Sequence, residues 1–100
     1  MVTIEKILEK INNGEFEEAY RHIHTIQNSG LEEDIFVLAE KLVELGFLEQ
    51  AINLYEQLLA THPDEGELLL SLAEIYIELD QEDEALELVK KVKNDDPVYP

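Results

Sequence analysis

An all-α fold of six antiparallel helices, paired as three hairpins, is predicted by three observations. Apolar residues recur at spacings of three and four almost from end to end, as in Ile4, Ile7, Leu8 and Ile11 or Leu69, Leu72, Ala73 and Tyr76. That is the period of helices with a buried face. No stretch sustains the alternation of a strand. Turn residues break the pattern at Asn12-Asn13-Gly14, Asn28-Ser29-Gly30, Gly46, His62-Pro63 and near Asp80. What remains is helices of roughly 11–15 residues, joined by turns so short that neighbours must run antiparallel.

Each element has its own signals. The first helix carries Ile4, Ile7, Leu8 and Ile11 and stops at Asn-Asn-Gly. The second carries Ala19, Ile23 and Ile26 and stops at Asn-Ser-Gly. The third opens on Glu32, Glu33 and Asp34, where the positive end of the helix dipole favours carboxylates, and continues through Ile35, Leu38, Ala39 and Leu42. The fourth carries Ala51, Tyr55 and Leu58, with Pro63 to end it. Asp64, Glu65 and Glu67 mark the start of the fifth, and Glu82 and Asp83 that of the sixth. Lys90, Lys91 and Lys93 stand near the end of the sixth, where the dipole favours cations.

A shift of thirty-four residues superposes the second half of this pattern on itself. Ile35 meets Leu69, Leu38 meets Leu72, Ala39 meets Ala73, Leu42 meets Tyr76, Ala51 meets Ala85 and Pro63 meets Pro97. Small residues recur where two helices must approach closely, and proline recurs where the second helix must stop. The remaining slots need only be apolar or polar, so their identities drift. An earlier copy is less regular: Gly14 to Ala19 corresponds to Gly46 to Ala51 at an offset of thirty-two, with Asn28-Ser29-Gly30 in place of the proline. A fixed period of this length marks an internal repeat.

These residues resemble the tetratricopeptide repeat (TPR), whose pattern runs W-x-x-L-G-x-x-Y, A-x-x-x-F, P with a period of about 34. Ile35, Leu38, Ala39, Leu42, Ala51, Tyr55 and Pro63 fill those slots in order, as do Leu69, Leu72, Ala73, Tyr76, Ala85, Val89 and Pro97. Aliphatic residues occupy the Trp slot in both. The resemblance is to bacterial members. It implies a right-handed α-solenoid of about three helix-turn-helix repeats, at approximately residues 1–30, 32–65 and 66–99, in a single domain. A fourth repeat would begin near residue 100, and no separate polar capping helix follows the third. The chain is therefore expected to be the N-terminal piece of a longer array, the alternative being that the last helix caps itself, with Lys93 where the middle repeat has Leu59.

Composition narrows the function. The chain has 100 residues, 45% of them apolar, and a formal net charge of −17 from 24 Asp and Glu against seven Lys and Arg. Such a charge opposes DNA, RNA and anionic membranes and favours a cationic partner surface. There is no cysteine, and no apolar run is long enough for a signal peptide or a membrane span, so a cytoplasmic protein is expected. No G-x-S-x-G, H-E-x-x-H, P-loop or G-x-G-x-x-G is present. His22 and His24, two apart on a helix, point to different sides and are expected to pack partly beside Ile23; His62 is expected to be exposed. The acidic run at residues 80–84 places Ala85 and Lys91 where a calcium loop needs Gly and Glu, and reads as a helix start. Neither enzymatic activity nor a cofactor or metal is expected.

The resemblance also implies a concave groove lined by the first helix of each repeat. Its slots are Glu33, Phe36, Val37, Glu40, Val43 and Glu44 in the middle repeat, and Glu67, Leu70, Ser71, Glu74, Ile77 and Glu78 in the third. The groove is thus an apolar strip edged with carboxylates. Phe36, Leu70, Glu40 and Glu74 stand where members that hold acidic peptide tails carry cations and amides, so an acidic peptide is repelled. The expected function is a scaffold that binds a basic and apolar peptide or helix of a partner protein. Alternatives are self-association into homo-oligomers through the uncapped apolar end, and a regulatory domain of a longer protein.

Overall fold

The computed structural model describes residues 3–94. Pro97, the last slot of the repeat pattern, and the chain end lie outside the described residues, as does the side chain of Lys93. Six helices form in order: α1 (Ile4–Asn12), α2 (Phe16–Ser29), α3 (Glu32–Leu45), α4 (Leu48–Thr61), α5 (Gly66–Glu78) and α6 (Glu82–Asn94). No strand forms among the described residues. The architecture is the all-α helical repeat expected from the period.

The helix starts follow the acidic clusters: α3 opens on Glu32, Glu33 and Asp34, and α6 on Glu82, Asp83 and Glu84. At 9 residues, α1 is shorter than the sequence pattern predicts. Thr3 fixes its start, with Oγ1 accepting from the Lys6 backbone N–H at 3.2 Å. Its end is fixed by a turn that recurs.

That turn is one backbone motif used three times. After α1, Gly14 N–H donates to the Ile11 carbonyl at 3.0 Å and Glu15 N–H to the Lys10 carbonyl at 2.9 Å. After α3, Gly46 N–H donates to Val43 at 3.1 Å and Phe47 N–H to Leu42 at 2.9 Å. After α5, Asp80 N–H donates to Ile77 at 3.0 Å and Gln81 N–H to Tyr76 at 2.7 Å. This pair of bonds is the Schellman cap, which consumes carbonyls left over at a helix end and needs a residue with positive φ. Gly14, Gly46 and Asp80 supply it, at 78°, 88° and 62°. The three positions are 32 and 34 residues apart, so the period in the side chains is also a period in the backbone.

The chain divides into two compact units after Leu38. In the first, α1 packs on α2, and Ile7, Ile11, Ala19, Ile23 and Ile26 are buried. In the second, α4 packs on α5 and α5 on α6, and Leu42, Leu54, Tyr55, Leu58, Leu69, Leu72 and Ile75 are buried. Each fully buried side chain of this size contributes roughly 1.5–3 kcal/mol. The small-residue slots behave as the repeat requires: Ala19, Ala39, Ala51, Ala73 and Ala85 are all buried. Pro63 follows the end of α4 and is exposed.

Candidate functional site: an acid-rimmed groove

A groove opens within the second unit, with a cavity of about 230 Å³. From α3 come Glu40, Val43 and Glu44; from α4, Tyr55; from α5, Ser71, Glu74, Ile75 and Glu78. Glu40 and Glu44 are four apart on one helix, as are Glu74 and Glu78 on another, so each pair shares a helix face. All four carboxylates are exposed, while Tyr55 and Ile75 are buried beneath them. Lys41 reaches Glu44 at 3.6 Å in an exposed pair, which leaves three of the rim carboxylates outside that contact.

Electrostatics in the groove can be read from Tyr55. Burial pushes its phenol above the ordinary value, and the negative charges of Glu40, Glu67 and Glu74 push the same way. A hydrogen bond with Ser71 works against both by favouring the ionised form. The floor of the groove is therefore a neutral phenol under a negative field.

Six of the residues expected to line a groove do line this cavity: Glu40, Val43, Glu44, Ser71, Glu74 and Glu78. Glu67, Leu70 and Ile77 lie on α5 outside its lining, and Leu70 and Ile77 are 46% and 56% exposed. Glu33, Phe36 and Val37 belong to the first unit and do not line the cavity; Phe36 is half-buried, Glu33 and Val37 exposed. Sequence reasoning missed Tyr55 and Ile75 as lining residues. The signal for Tyr55 was present: the pattern asks only for an aromatic ring in its slot, the third repeat manages with Val89, and Ser71 is one of only two serines in the chain. Two polar groups in apolar slots are a sign that they meet.

The histidines divide differently from expectation. His22 is half-buried, but His24 is exposed, because a step of two turns it through about 200° on the helix. His62 is exposed. Among the described residues no group of three or more His, Asp or Glu is placed to hold a metal ion. No helix among them is long and apolar enough to cross a membrane.

The tetratricopeptide repeat profile matches residues 42–100. The TPR repeat-containing protein YpiA of Bacillus subtilis (strain 168) is 30% identical over 97 residues, which is 97% of this chain and 23% of that protein. The chain thus spans about a quarter of the length of the relative it matches. Tetratricopeptide repeats generally mediate protein–protein interactions and serve as non-enzymatic scaffolds. With the period, the Schellman turns and the buried alanines in their slots, the profile match over more than half of its length places the chain in the tetratricopeptide repeat family.

Proposed function

We propose that this chain is a non-enzymatic interaction module whose acid-rimmed groove takes a segment of a partner protein bearing basic and apolar residues. The observation that carries this reading is the pairing of four exposed carboxylates, Glu40, Glu44, Glu74 and Glu78, over a floor of buried Tyr55 and Ile75. Val43 and Ile75 offer apolar contact, and Lys or Arg from the partner would meet the rim. The formal net charge of −17 adds long-range attraction for such a partner, raising its association rate at low salt.

The test compares two baits in a pull-down from lysate of the source organism: the native chain, and a variant with Glu40, Glu44, Glu74 and Glu78 changed to Lys. Circular dichroism first establishes equal helicity. The expected result is a partner retained by the native bait in low salt and lost by the variant. The same partner on both baits would move the interaction away from the groove. A second reading, self-association, is favoured by the exposure of Ile77 on α5 and Leu86 on α6, at 56% and 53%. Sedimentation that depends on protein concentration would support it.

A further inference from the structure

Three of the seven Lys and Arg in this acidic chain converge on one place, the α1–α2 hairpin. Lys6 and Lys10, four apart on α1, and Arg21 and His22 of α2 line a cavity of about 270 Å³ together with a single carboxylate, Glu18. Lys10 is only 20% exposed and binds Glu18 at 2.8 Å and Glu15 at 3.2 Å. These contacts hold the Lys10 ammonium above its usual pKa and, through Lys10, the Glu18 carboxyl below the usual carboxylate range. Lys6 and Arg21 form no ion pair among the described residues.

We propose that this hairpin carries an oxyanion pocket for a phosphate monoester, in which Glu18 is the resident competitor. Lys10 already carries two carboxylates, Glu15 outside the lining and Glu18 within it, and Glu18 is the one that a ligand in the cavity would displace. A carboxylate ligand would gain little, because it would exchange one monoanion for another. A phosphate dianion is different: it carries three strong acceptor oxygens and close to two charges. Lys10, Lys6 and the forked donors of Arg21 line the one cavity and are its cationic partners for such a ligand, and guanidinium geometry suits phosphate. His22 supplies a further ring donor from the neighbouring position. The charge elsewhere on the chain does not forbid this, because at physiological salt interactions are screened beyond about 8 Å and the nearest groups decide. A membrane surface is disfavoured as the source of the phosphate, since it would bring the other acidic faces against anionic lipid. That leaves free phosphate or a phosphorylated side chain of a protein.

The test is a proton NMR titration of the full chain, at about pH 7.5 so that phosphate is mainly dianionic, with inorganic phosphate in one arm and O-phosphoserine in the other. His22 is the reporter; His24 and His62 are internal controls, both exposed and neither lining the cavity. The expected result is a saturable shift at His22 alone, in either arm, and the tighter arm identifies the source. Glu18→Gln removes the competitor and should tighten binding about tenfold, whereas Arg21→Gln should weaken it about tenfold, the scale of one charged hydrogen bond. Glu17→Gln makes the same change of net charge on the same helix outside the pocket and should leave affinity unaltered. Shifts that are equal at all three histidines, or that grow linearly without saturation, overturn the proposal. So does an equal response of Glu18→Gln and Glu17→Gln, which would reduce the effect to bulk charge. All variants are at exposed positions, and circular dichroism verifies their fold.

Discussion

Ser71 and Tyr55 form a polar contact at the floor of the groove whose loss has a signed, local consequence. Ser71 provides the hydrogen bond that lowers the Tyr55 pKa, against burial and three carboxylates that raise it. Ser71→Ala therefore should raise the Tyr55 pKa further, read by carbon NMR of its ring across an alkaline titration. It should also cost about 1 kcal/mol of stability, the net worth of a typical buried hydrogen bond. A drop in the Tyr55 pKa on this substitution would contradict the assigned contact. The sign for stability follows from the same shift. A phenol whose folded pKa is raised stabilises the fold fully below its ordinary value of about 10, and that stability is lost as pH rises through the raised folded value. Tyr76 is raised as well, by burial first and then by Glu56 and Glu84, so the loss of stability should set in as pH passes the ordinary phenol value of about 10 and be steeper than one group would make it.

Among the elements, the repeated Schellman turn is the sharpest structural finding, and it separates strain from crowding. Gly46 has φ of 88°, and a Cβ placed on it would meet nothing within 4 Å. Gly46→Ala should therefore cost about 1–2 kcal/mol purely through the left-handed backbone, measured by urea unfolding. Asp80 already bears that strain at φ 62°. Asp80→Gly should return the strain less the entropy cost of glycine, a net gain of about 0.5 kcal/mol. If both substitutions destabilise equally, the turn is not the determinant claimed. These positions also mark how far the sequence could be read. Gly14 and Gly46 announced their turns, because glycine alone takes positive φ without cost. Asp80 only announced a break, since aspartate also suits helix starts and ordinary turns. The helices themselves were legible because burial on one face imposes their period, and the alanine slots because close approach excludes anything larger. The groove was half legible. The resemblance to the repeat family picked out the rim carboxylates on α3 and α5, but Tyr55 comes from α4, and no periodicity within one helix reveals which residue of another forms the floor beneath it.

Taken over the whole molecule, the charge and the groove make opposing demands. With a formal net charge of −17, like charges repel across the folded surface and favour expansion. Raising ionic strength shortens the screening length from about 30 Å at 0.01 M to about 8 Å at 0.15 M and removes most of that repulsion. The melting temperature should therefore rise with added sodium chloride over this range, measured by calorimetry. The rim carboxylates contribute to the penalty: replacing Glu40, Glu44, Glu74 and Glu78 by Lys moves the formal net charge from −17 to −9, two units per site. Because all four are exposed and on helix faces, Lys is a tolerated helical residue at each. The fourfold variant should be at least as stable as the native chain in low salt, and the gap should close as salt is added. That expectation gives the binding test its meaning. A variant that is more stable yet loses its partner separates recognition from folding, since four glutamates that weaken the fold are then maintained for what they bind. A variant that melts lower in low salt would instead show that these carboxylates support the fold, and loss of binding would then carry no information about the groove.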